Sequence, residues 1–112
     1  MKGEDIVFRV QGSADEPYKV TFVRNGSNVN AYCTCPAGEN GQCCKHRFAI
    51  MAGDSTAVVS ANGDQASIVH SWLPGSDLEE SLMELAEAQH LQDEAKKRLS
   101  LAKKGVAQTM HR

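Results

Sequence analysis

All four cysteines of the 112-residue chain fall within one fourteen-residue window, Cys33-Thr-Cys35-Pro-Ala-Gly-Glu-Asn-Gly-Gln-Cys43-Cys44-Lys-His46, which also contains a histidine. No other stretch concentrates as much chemistry. A chain of this length has room for one domain, or for a small domain with an appendage. Its core is limited, and folds of that size commonly need a metal or disulfides as a staple. The cysteine window therefore constrains the fold more tightly than local propensity does.

The spacing is Cys-x-Cys, eight residues, then Cys-x-His. Cys33 and Cys35 sit at the end of an expected strand, where a period of two sends both side chains off one face. Pro36 biases Cys35 towards an extended backbone. Gly38 and Gly41 let the next segment fold back and bring a helix to the pair. Cys44 and His46 are expected in the first turn of that helix, where the dipole favours a thiolate. Three thiolates and an imidazole make a closed tetrahedral set for one structural zinc ion, with no open position for catalysis.

Cys43 is the surplus thiol. Adjacent helix residues point about 100° apart, so only one of Cys43 and Cys44 is expected to face the metal. Cys44 is preferred, and Cys43 reads as a small buried hydrophobe; Cys43 in its place gives Cys-x-x-His. Disulfides are the competing use of these thiols. Cys33–Cys35 or Cys43–Cys44 bridges are strained. Longer pairings need an oxidising compartment and leave His46 without a role.

The rest of the chain predicts an α+β fold: a small three-stranded antiparallel sheet and a short helix around zinc, then short helices and a long C-terminal helix. Residues 5–12 alternate, with Ile6, Phe8 and Val10 on one face. Residues 18–23 alternate likewise through Tyr18, Val20 and Phe22, and Asn25-Gly26 offers a tight turn into Val29–Cys33. Cys44–Ala52 reads as a helix ended by Gly53. In 54–72, Asn62-Gly63 separates two apolar pieces. Two short helical pieces, capped at Asp54 or Ser55 and at Asp64, are preferred over a second hairpin. Leu73-Pro74-Gly75 breaks the chain.

Ser76-Asp-Leu-Glu79 is a capping box. Leu78, Leu82, Leu85, Ala88, Leu91, Ala95, Leu99, Ala102 and Val106 then recur at helical spacing. Asp77 to Glu94 contains seven acids and no Lys or Arg, whereas Lys96 to Arg112 contains six bases and no acid. Each half complements its end of the helix dipole, and the order lets two copies pair antiparallel. The expected organisation is 1–53 zinc unit, 54–75 connecting segment, and 76–112 long amphipathic helix with a frayed tail. A homodimer through 76–104 is one expectation.

Net charge is −2, so any nucleic-acid surface must be local. Arg9, Lys19, Arg24, Lys45 and Arg47 could form a basic face beside the cluster, but ordinary solvated charge is the favoured reading because Glu4, Asp5, Asp15, Glu16 and Glu39 are interspersed. Lys96-Lys97-Arg98 with Lys103-Lys104 is the densest basic patch, and matching of the helix dipole is preferred over nucleic-acid contact as its explanation. His70, His90 and His111 are not expected to bind metal, and Trp72 reads as a core anchor. The N-terminal residues Met1–Arg9 lack a signal-peptide core, and no run is long enough to span a bilayer. The expected compartment is the cytoplasm, where clustered thiols stay reduced.

At Cys33, Cys35, Cys44 and His46 the sequence resembles the SWIM zinc finger family, whose pattern is Cys-x-Cys, a variable gap and Cys-x-His. The flanks are similar too: a β-rich lead-in, Cys-x-Cys-Pro, and Cys-Lys-His running into apolar residues. The resemblance covers about residues 5–52, and the stand-alone form with a long C-terminal helix resembles a small bacterial or phage type. It implies zinc binding and a role in contacting DNA or protein. No paired carboxylate or oxyanion-type loop accompanies the cluster, so neither an enzyme nor a small-molecule substrate is expected.

Overall fold

A computed structural model of the chain describes residues 4–112; Met1–Gly3, part of the N-terminal stretch read for a signal sequence, lie outside the described residues. It comprises two compact units, one up to Glu79 and one from Glu80 to Arg112.

The first unit is built on three antiparallel strands in the order β1-β2-β3. They are β1 (Glu4–Val10), β2 (Tyr18–Asn25) and β3 (Asn28–Cys33). The alternation predicted from sequence decides which face is buried. Phe8, Val10, Val20, Phe22, Val29 and Cys33 point inward, and Phe8 meets Phe22 edge-on at 6.1 Å. Arg9, Lys19 and Tyr32 point out. The β2–β3 hairpin turns through Gly26-Ser27, with positive φ confined to Gly26, which has no Cβ to clash. β1 stops at Val10 rather than at residue 12, because there the chain leaves the ladder.

Short helices cover the inner face: α1 (Pro36–Glu39), α2 (Lys45–Met51) and α3 (Ala66–Trp72). α2 ends at Gly53, whose φ is +84°. Ile50 and Met51 are buried and Phe48 half-buried. α3 buries Ala66, Val69 and Trp72, so Trp72 is the anchor that the sequence suggested. The His70 ring nitrogen Nδ1 lies 2.8 Å from the Met51 carbonyl oxygen and ties α3 to α2. The Arg24 guanidinium lies 5.5 Å from the centre of the Trp72 ring while pairing with Glu4 at 2.5 Å.

The segment after Gly53 departs from expectation. Asp54 caps a turn, accepting from the Thr56 backbone N–H at 2.9 Å and its hydroxyl at 2.6 Å, and starts no helix. The chain then runs back along β1. Gln11 N–H donates to Ala57 O, Val58 bridges Val10, and Val59 N–H donates to Arg9 O. Only the second expected helical piece forms, as a 3₁₀ turn at Gly63–Gln65 that leads into α3.

The long helix α4 (Asp77–Met110) begins in the first unit. Ser76 Oγ accepts from Glu79 N–H at 3.0 Å, as the capping box predicts. The Glu79 carboxylate instead takes the N–H of Gly75 at 3.2 Å, because the N–H of Ser76 is already given to Leu73 O. Asp77 accepts from Val29 N–H and donates its own N–H to Ser27 O, pinning the helix start to the hairpin. The second unit is the remainder of α4 and the two residues after it, and α4 buries none of its residues. No helix among the described residues is long and apolar enough to cross a membrane.

Candidate metal centre

Three elements deliver the donors. Cys33 ends β3 and is buried there. Thr34 keeps the chain paired beyond the strand, its N–H donating to Lys19 O and its Oγ1 accepting from Lys19 N–H at 2.9 Å. That holds the knuckle rigid, so Cys35 turns inward. Cys35 is the N-cap of α1, its Sγ accepting from Gly38 N–H at 3.3 Å. The α1 turn presses against the strand end so closely that a Cβ at Gly38 would lie 2.3 Å from Cys33 O. Only glycine fits that approach. Gly41, at φ +73°, reverses the chain towards α2.

Cys44 is the N-cap of α2, so the helix begins one residue later than the sequence predicted, and His46 lies in its first turn. Cys44 is buried and Cys43 is exposed, so the adjacent thiols do diverge. The expectation that Cys43 is a buried hydrophobe is corrected: its extended neighbour Cys44 turns its thiol inward to the ligand cluster, which leaves Cys43 facing water. Among the described residues one Cys/His/Asp/Glu group has metal-binding geometry, and it is Cys33, Cys35, Cys44 and His46. Their ligand atoms all lie within 4.8 Å of one another. A tetrahedral ion with Zn–S bonds of about 2.3 Å sets its donors about 3.8 Å apart. Cys33 Sγ and His46 Nδ1 are separated by 3.8 Å.

The protonation chemistry fits the same ion. Burial pushes the Cys33 thiol up to about 12, so without a metal it keeps its proton. Burial also acts to raise Cys44, but the backbone and guanidinium N–H groups of Arg47 outweigh it and bring the thiol below its ordinary value. Burial, then the charge of Lys45, holds the His46 imidazole below 6.5, in the neutral form that ligates. Three buried thiols without a disulfide and a neutral imidazole, converging on one point, suit Zn²⁺ and leave no donor position for water.

Residues 8–52 match the model of the SWIM zinc finger family. This segment is a SWIM zinc finger. No curated protein and no solved structure matches the chain. The finger's four donors are positioned to bind one zinc ion. Three further residues support the finger, and the sequence reading gave none of them that role. Arg47 donates from Nε to Cys44 Sγ at 3.2 Å, from one terminal nitrogen to Ala31 O at 3.1 Å, and from the other to Gln42 O. It offsets the excess negative charge of three thiolates on one Zn²⁺ and ties the two halves of the finger together. The signal was present, since Arg47 follows Cys44 by three and so shares its helix face. The Tyr18 ring lies 5.1 Å from the His46 ring, tilted at 50° to it. Gly12 backs both: a Cβ there would meet the Tyr18 ring at 2.4 Å and His46 Nε2 at 3.0 Å. Nothing in the sequence marks Gly12 except that it follows a strand.

Proposed function

We propose that this zinc finger is an interaction module whose exposed sheet face contacts nucleic acid, with DNA the first candidate. Zinc holds the fold and performs no chemistry, because all four donor positions come from the protein and none is left for substrate or water. Partner contact then falls to the surface that the metal organises. Strand addition is disfavoured, since both sheet edges are occupied. Residues 57–62 cover β1, with Ser60 Oγ accepting from Arg9 N–H and Asn62 donating to Val7 O. Asp77 and Arg47 take the outer groups of β3.

The open face carries the reading. Arg9 and Lys19 stand side by side across β1 and β2, and Thr21 pairs with Tyr32, which is 57% exposed. Adjacent cations beside an exposed ring suit a phosphate backbone with a base stacked on the aromatic. Of the other candidate cations, Arg24 and Arg47 are engaged within the fold. Reduced thiols at the centre suit a reducing compartment such as the cytoplasm.

Fluorescence anisotropy with labelled single- and double-stranded DNA tests this. Binding should weaken steeply with salt, and Arg9→Gln with Lys19→Gln should reduce the salt slope by about 2. Tyr32→Ala should weaken single-strand binding most. No binding at low salt, or binding indifferent to all three changes, favours a protein partner instead. A second reading, assembly through α4, is favoured by the helix's exposed apolar stripe.

A further inference from the structure

We infer that α4 is one half of an antiparallel two-stranded coiled coil formed with a second copy of this chain, in the register that overlaps the two helices over their whole length.

The helix cannot rest on its own packing. It has 34 residues and buries none of them. On its apolar stripe, Leu99 and Val106 are more than half exposed and Leu85 is exposed too. Helices gain most of their stability in water from packing an apolar face, and among the described residues no side chain of this face is fully buried. The stripe identifies its own occupant. Leu78, Leu85, Gln92, Leu99 and Val106 recur every seven residues, and Ser81, Ala88, Ala95, Ala102 and Thr109 recur every seven, three positions later. These are the a and d positions of a heptad repeat. All the large apolar residues of the seam lie in the first series and all the small residues in the second.

That division selects the orientation. A parallel pair places large against large in one layer and small against small in the next, leaving thin layers of alanine. It also places the acid-only half of one helix beside the acid-only half of the other. An antiparallel pair reverses both. In the full-overlap register, Leu85 faces the partner's Ala102, Leu99 the partner's Ala88, and Val106 the partner's Ser81. Leu78 then faces the partner's Thr109. Every layer combines one large and one small side chain, the interdigitation that fills a seam evenly.

The centre of this overlap falls between Asp93 and Glu94. The charge pattern changes sign there too: the last acid is Glu94 and the first base is Lys96. Each acidic half therefore lies along the partner's basic half. Gln92, the one polar residue of the large series, faces the partner's Ala95 beside that centre.

The test uses the full zinc-loaded chain. Sedimentation equilibrium should give twice the chain mass, and Leu85→Asp combined with Leu99→Asp should return it to the monomer. Orientation is read separately, with Gln108→Cys carrying a nitroxide in a Cys43→Ser background. Antiparallel pairing sets the two labels about 44 Å apart along the axis at 1.5 Å per residue. Parallel pairing sets them about 10 Å apart, the usual interaxial distance. A monomer overturns the proposal. So does a dimer with the short distance, or a dimer that persists in the double variant.

Discussion

The zinc finger and the helix that follows it secure their structure in different ways. The finger has a small core of Phe8, Phe22, Ile50 and Val20, joined by Val69 of α3 and closed by a ligand cluster that converges from β3, α1 and α2. Its contacts are non-local, with Val10 bridging Val58 and Cys33 lying next to His46. The helix α4 has a cap at its start and, among the described residues, buries none of its side chains. A sidedness of this kind teaches where each region is fragile. The finger depends on a few residues that act together, whereas the helix depends on many small local terms and on whatever covers its stripe.

Breaking the ligand set gives the largest expected effect. Cys35→Ser or His46→Ala should unfold the finger, because structural zinc contributes an apparent ~10–16 kcal/mol in small finger peptides, against ~5–15 kcal/mol for a whole domain. Far-UV circular dichroism should then lose its sheet component and keep much of its helical signal. Loss of both together would mean that the two regions are one cooperative unit.

The next contrast uses apolar residues. Phe22→Ala should cost about 3–5 kcal/mol, since it empties a fully buried position. Leu101→Ala, off the seam and 67% exposed, should shift stability by no more than about 0.5 kcal/mol. Urea denaturation of the zinc-loaded chain measures both, and comparable costs would dissolve the distinction.

Arg47 sharpens the account of the finger itself. Arg47→Gln removes the donor to Cys44 Sγ and the tie to Ala31 O, so zinc affinity should fall about 10–100-fold, as for other partners of metal ligands. Competition against a chromogenic chelator reads it, and an unchanged affinity would leave Arg47 as a packing residue. The smallest effect belongs to the helix: Ser76→Ala should cost about 1 kcal/mol through loss of the Glu79 N–H cap.

Acid should separate the regions too. His46 sits below 6.5 in the folded finger, so as pH falls through 6.5 the unfolded chain takes up the proton first and folding is disfavoured. Protonation of the thiolates acts in the same direction on zinc. Zinc retention, followed by dialysis and metal analysis, should therefore decline as pH drops below about 6.5, with the helical signal of α4 little changed. Retention that rises on acidification would contradict the ligand chemistry.

Much of this was legible in the sequence, for identifiable reasons. The strands announce themselves because alternation and burial coincide at Phe8, Val10, Val20 and Phe22. The cap at Ser76 is visible because it acts within three residues. The segment from Asp54 was misread because its outcome is tertiary. Asp54 prefers a local bond to Thr56 over starting a helix, and the backbone of Ala57 and Val59 is claimed by β1. Cys43 was misplaced because a helix-interior angle was applied to an N-cap. Gly12 carries no signal at all, since its role exists only once Tyr18 and His46 are brought against it.

The central claim is that four side chains, and not Cys43, bind one zinc ion that holds the finger together. Metal analysis of the purified chain alongside its Cys43→Ser variant, before and after exhaustive chelation, tests it most directly. The account predicts one zinc per chain in both proteins, and loss of the sheet signal when the metal is removed. Absence of zinc, its loss in Cys43→Ser, or a cooperative sheet transition that survives chelation would contradict it.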